Sequence, residues 1–155
     1  MNQVEHRDVK NESLVLPLWK LAFMMSVTLG LYGIYWFYKN WLAIKYPERS
    51  KFRLFIRAFI APVTAGFLFV KFTDKKTAVF LAIAYLLLNI AGRLPSPWWL
   101  ISALAFLPLL PIQKIINRLR GDIKPTNSFS WKEGLVAGIG LVILLSAIAA
   151  ILLGL

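Results

Sequence analysis

Cysteine is absent from the 155 residues, and histidine occurs once, at His6. No disulfide framework, thiolate nucleophile or cysteine-ligated metal can therefore be built. With a single histidine, neither a multi-histidine metal site nor a Ser-His arrangement is available. Acid is scarce as well, with 7 Asp and Glu against 18 Lys and Arg. No Asp, Glu, Lys or His falls in the middle of an apolar run, whereas proton relays and ion-coupled carriers need ionisable groups there. Glu48, Asp74, Asp122 and Glu133 each sit beside cations, the ordinary pattern of solvated charge. Phosphate-binding and dinucleotide-binding glycine motifs are missing too. Together these absences argue against an enzyme, a cofactor or a pump.

What is present is mostly apolar: 59% of the residues are hydrophobic and the mean hydropathy is +0.67. Such a composition has too little polar surface to cover a water-soluble globule. The chain reads as an all-α membrane protein. Its cations lie between apolar runs instead of along one stripe, which favours an anionic bilayer surface over nucleic acid as the partner. Residues 1–13 are polar and of mixed charge and read as a cytoplasmic tail, without the pattern of a cleaved signal peptide. Residues 14–155 read as one membrane domain.

Five apolar stretches follow, at 21–38, 58–70, 77–92, 94–113 and 134–155. A crossing needs about 20 helical residues to cover roughly 30 Å of hydrocarbon. The last stretch meets this without a charge. The fourth is long enough but carries Pro95, Pro97, Pro108 and Pro111, which predict a turn at its start and a bend near its end. The third is near the lower limit. The second reaches only about 20 Å as helix and contains Pro62, so it is expected to dip in and return. The first is interrupted by Thr28-Leu29-Gly30-Leu31-Tyr32-Gly33, whose glycines favour a break.

Charge placement separates the two topologies. If all five stretches cross, the 18 cations split 11 to 7. If the first two are re-entrant or interfacial and the last three cross, only Arg93 is left on the far side. The positive-inside rule prefers the second arrangement, with the N-terminus in the cytoplasm; four or five crossings stay open as the alternative. Ser130-Trp131-Lys132-Glu133 has the form of a capping box and predicts a helix start. Arg93-Leu94-Pro95-Ser96-Pro97 predicts a tight link that makes the third and fourth stretches an antiparallel hairpin.

Several residues are candidates for contact. Around 45–60, Phe52, Phe55, Ile56 and Phe59 follow one helical face, while Arg49, Arg53 and Arg57, with Lys45 upstream, follow another. This predicts a basic amphipathic helix in the plane of an anionic leaflet, with about 1 kcal/mol of attraction per cation. Tyr32, Tyr35, Trp36, Tyr38 and Trp41 have the composition of an interfacial aromatic belt. Ile115, Ile116 and Leu119, interleaved with Lys114, Arg118 and Arg120, predict a snorkelling helix end closed by Gly121. Gly134 and Gly138 form a GxxxG step suited to packing within the chain, against another membrane protein, or against a second copy. Thr28, Thr64, Asn89 and Arg93 are the candidates for a polar pocket; the plainer reading has Asn89 bonding nearby backbone and Arg93 snorkelling outward.

The stretch SVTLGLYGIYWFYKNW, Ser26 to Trp41, resembles the opening signature of small bacterial membrane proteins grouped as the domain-of-unknown-function 4234 family. The segments RAFIAP, Arg57 to Pro62, and RLPSPWWLISALAFLPLLPIQKIINRL, Arg93 to Leu119, look similar to membrane proteins of the same kind. The resemblance implies a bacterial cytoplasmic-membrane address and supplies no activity, substrate or site residues. The expected role is a non-enzymatic organising or accessory component, with a lipid-handling or permeation protein as the alternative.

Overall fold

The computed structural model describes residues 14–44, 51–121 and 123–153, and within these every regular element is helical. The helices are α1 (Leu18–Val27), α2 (Leu31–Ala43), α3 (Lys51–Phe59), α4 (Ala61–Phe69), α5 (Lys75–Ala91), a 3₁₀ helix (Trp98–Phe106), α6 (Leu109–Leu119) and α7 (Trp131–Leu153). The predicted tail at 1–13, with His6, and the predicted contact residues Lys45 and Arg49 lie outside the described residues.

The expected break in the first stretch falls at Thr28 to Gly30. Leu29 and Gly30 both take left-handed backbone, φ 49 and φ 88. Glycine adopts this freely, whereas a leucine there costs roughly 1–2 kcal/mol. Thr28 stitches the elbow: its Oγ1 donates to Met24 O at 2.7 Å and accepts from the Tyr32 amide at 3.0 Å. One hydroxyl thus ties the last turn of α1, where Met24 O also accepts the Thr28 amide, to an orphan amide of α2.

Beyond the elbow the chain doubles back. Trp36 Nε1 donates to Gln113 Oε1 at 2.6 Å, and Gln113 Nε2 donates to Leu14 O at 2.9 Å. A straight helix would set Trp36 about 33 Å beyond Leu14 at 1.5 Å per residue. Instead a single glutamine side chain touches both.

The second stretch also turns. α3 and α4 meet at Ile60 with a bend of 107°. Pro62 has no amide for the Ala58 carbonyl and its ring opposes a continuing helix. Thr64 Oγ1 ties the two arms of the bend together by donating to Arg57 O at 2.8 Å.

α5 opens on Asp74, whose Oδ2 accepts the Thr77 amide at 2.9 Å. It returns through 92–97 into the 3₁₀ helix, the expected antiparallel hairpin, with Gly92 close to Ser102. Pro108 and Pro111 then deny amides to the Leu104 and Leu107 carbonyls. The Leu107 and Leu110 amides take those carbonyls instead, at 2.9 and 3.3 Å. Helix continues past the apolar stretch to Leu119, just short of the Gly121 expected to close it, and Ile112, Gln113 and Ile116 pack inward.

Trp98–Leu119 and Trp131–Leu153 are long and apolar enough to cross a membrane, and the bent α3–α4 pair makes up to a third candidate. α5, expected as a crossing, has 17 residues, about 25 Å as helix. The core lies where the two elbows meet α6, around Trp36, Phe37, Trp41, Phe69, Leu109 and Ile112. Along α7, by contrast, only Gly140 is buried. Exposed Phe67, Phe80, Val142, Leu152 and Leu153 form apolar surface that water would not tolerate.

Candidate functional site

The basic amphipathic helix is present as α3, turned so that its aromatic side faces away from the protein. Leu54 and Ala58 are buried against the rest of the chain, while Phe52, Phe55, Ile56 and Phe59 are exposed. Arg53 is exposed beside them, and the Arg57 guanidinium lies 5.2 Å from the centre of the Trp41 ring. Two turns of helix therefore show three faces: Leu54 and Ala58 toward the protein, a cationic edge and an aromatic outer face.

The aromatic run requires a correction. It was expected to stand at headgroup depth as a contact surface, yet Tyr32, Trp36 and Trp41 are buried in the core. Only Tyr35 is exposed, and Tyr38 is half-buried against Phe55. The cause is helical period: 32, 36 and 40, with 33, 37 and 41, form adjacent rows on the face that α2 presents on folding back. The spacing was legible; the fold-back was not.

The polar-pocket candidates do not converge. Thr28 serves the first elbow and Thr64 the second. Asn89 Nδ2 donates to Tyr85 O at 2.8 Å, and Arg93 is exposed beyond α5. Thr28, Thr64 and Asn89 each answer nearby backbone, as helical hydroxyls and amides commonly do. Gly134 and Gly138 likewise meet no atom within 4 Å and face open space. The close approach on α7 is made by Gly140, where a Cβ would fall 2.6 Å from Val27 O.

Two polar constellations join segments far apart in the sequence. In the first, Gln113 is buried and links Trp36 to Leu14, while Gln113 Nε2 also donates to Asn117 Oδ1 at 2.7 Å. Asn117 Nδ2 donates to Leu16 O at 2.7 Å. This amide pair satisfies the extended residues before α1, which have no helix of their own to bond. An i, i+4 pair of amides on the apolar side of α6 was the available signal.

In the second, Lys20 is only 3% exposed, and its Nζ lies 2.9 Å from Glu133 Oε2 and donates to Ser128 O at 2.9 Å. The capping box forms as predicted: Glu133 Oε2 accepts the Ser130 amide at 2.8 Å and Ser130 Oγ accepts the Glu133 amide at 3.3 Å. Glu133 is thus the hub of an ion pair as well as a cap, not a merely solvated charge. The Lys20–Glu133 and Val27–Gly140 contacts share one register, so α1 and α7 run parallel from a common end.

Where α1 stops at the elbow, α7 continues alone. Between them lies a cavity of about 720 Å³, walled by Val27, Leu31 and Tyr32 on one side and by Val136, Ile139 and Ile143 on the other. Ser130, Lys132 and Glu133 line its end at the start of α7, with Tyr35 nearby. No group of three or more metal-ligating acids or histidines occurs among the described residues. No family model matches the chain, and no curated protein or solved structure matches it either.

Proposed function

We propose that this chain is a non-enzymatic accessory protein of the bacterial cytoplasmic membrane that organises other envelope components at the inner leaflet. In this reading α1–α2 and α3–α4 are re-entrant hairpins, and α5, the 3₁₀–α6 segment and α7 cross. Arg93 alone is then left outside, in accord with the positive-inside rule. The resemblance of Ser26 to Trp41 to a family of small bacterial membrane proteins supports the same address.

The observation that carries the role is the attitude of α3. A helix that buries Leu54 and Ala58 and turns Phe52, Phe55 and Phe59 outward beside Arg53 is built to touch something apolar and anionic. The chemistry fits lipid at the leaflet surface and a membrane partner docked there. Permeation is disfavoured because Thr28, Thr64, Asn89 and Arg93 line no common path.

Pull-down of the tagged protein from its native membrane in mild detergent tests the role. A stoichiometric partner, lost when Phe55 and Phe59 are changed to Ser, is expected. Solute flux or lipid transfer by the protein alone in vesicles would replace this reading with the lipid-handling one.

A further inference from the structure

The cavity between the first elbow and α7 has a polar end and an apolar remainder. Donor-bearing residues line the polar end: Lys132, Ser130 and Tyr35. Tyr32, in the wall, is 6% exposed, and its hydroxyl has no hydrogen-bond partner among the described residues. A buried hydroxyl left unpaired costs about 1–3 kcal/mol, a cost that an acceptor reaching it from the cavity, with a small turn of the ring, would relieve. Glu133 adds no net repulsion to an anion, because Lys20 pairs with it at 2.9 Å. The local balance is then the single positive charge of Lys132.

Length decides between occupants. The α7 lining runs from Ser130 to Ile143, about 20 Å along a helix axis. One leaflet of hydrocarbon is about 15 Å, half of the roughly 30 Å core. The groove therefore extends from headgroup level to about the bilayer midplane and ends where α1 breaks. A transmembrane helix of a partner would need a wall along the whole of α7, and among the described residues the cavity lining ends at Ile143. An amphiphile of one leaflet fits both the length and the polarity. The volume, about 720 Å³, falls within the roughly 300–1,000 Å³ of small-molecule sites.

We propose that this cavity is a phospholipid site, holding one acyl chain between Val27 and Ile139 and presenting the phosphodiester to Lys132, Ser130 and the tyrosine hydroxyls. The inference rests on the membrane placement given above. Lys132 supplies the charge, Tyr32 a directional hydrogen bond, and the elbow a floor that limits the chain to one leaflet.

The test uses the full-length protein in phosphatidylethanolamine and phosphatidylglycerol vesicles with a tracer phosphatidylglycerol bearing a diazirine in one acyl chain. Photolabelling should concentrate on the wall residues between Met24 and Tyr32 and between Val136 and Ile143. Val136→Trp, which fills the groove, should abolish this label, whereas Leu152→Trp, on open surface, should not change it. Tyr32→Phe should lower it by about fivefold, the effect of one hydrogen bond. Excess unlabelled phosphatidylglycerol should compete and diacylglycerol should not. Label spread evenly along α7 and indifferent to Val136→Trp overturns the site while leaving the membrane placement intact. Equal competition by diacylglycerol overturns the phosphodiester assignment. Failure of the protein to remain with the vesicles at all overturns the placement instead.

Discussion

At the scale of single residues, the fold depends on a few polar side chains set in grease. Gln113 has all of its amide bonds inside the protein, to Trp36, Leu14 and Asn117. Gln113→Leu preserves bulk but leaves a buried indole N–H and the Leu14 carbonyl unpaired. A loss of about 2 kcal/mol is expected, read as a lowered melting temperature in detergent together with a change in Trp36 fluorescence. Lys20 and Glu133 form the comparable pair for α1 and α7. Lys20→Ala leaves the part-exposed Glu133 with its cap bonds alone and should cost about 2 kcal/mol, the loss of one charged hydrogen bond. A double-mutant cycle with Glu133→Ala should return a coupling of at least about 1 kcal/mol; additive losses would show that the pair is not a joint.

At the scale of elements, α7 is held at its first turn and at one glycine. Gly140→Ala puts a methyl 2.6 Å from Val27 O, and backbone cannot yield as a side-chain tip does. Overpacking of this kind should cost about 1–3 kcal/mol. Gly134→Ala and Gly138→Ala, which meet open space, should stay within about 0.5 kcal/mol. Comparing the three melting temperatures distinguishes a single contact from a GxxxG interface within the chain. α5 gives a test in pH. The Thr77 amide, and then its hydroxyl, hold the Asp74 carboxyl below its ordinary 3.8. A lowered carboxylate stabilises the helix start above its unfolded value and ceases to do so as pH falls through the folded one. Amide exchange at Thr77 should therefore accelerate on acidification below about pH 4 relative to Asp74→Ala, in which no such step occurs.

At the scale of the whole molecule, the proposed topology predicts where solvent reaches the chain. Because cysteine is absent, single cysteines can be placed at Arg53, Lys76, Ser96 and Lys124 without background. A membrane-impermeant maleimide applied to intact cells should label Ser96→Cys alone. Label at Arg53→Cys would return the first two stretches to full crossings. The outward apolar surface of α5 and α7 further predicts that the chain aggregates when detergent is withdrawn.

Composition and period determined much of this by themselves. The helical class, the elbow at Leu29-Gly30, the kink before Pro62, the 92–97 turn and the Ser130–Glu133 cap all follow from local backbone chemistry, which is written in consecutive residues. Only the tertiary structure decided which faces meet. Tyr32, Trp36 and Trp41 are amphipathic side chains suited equally to an interface or a core, and the doubling-back of α2 placed them inside. Lys20 and Glu133 stand more than a hundred positions apart, and Gly140 rather than Gly134 faces Val27 because of the register that this pair sets. Contacts between distant segments depend on how helices are aimed in space, and that direction is fixed at the elbows by the packing that each one permits.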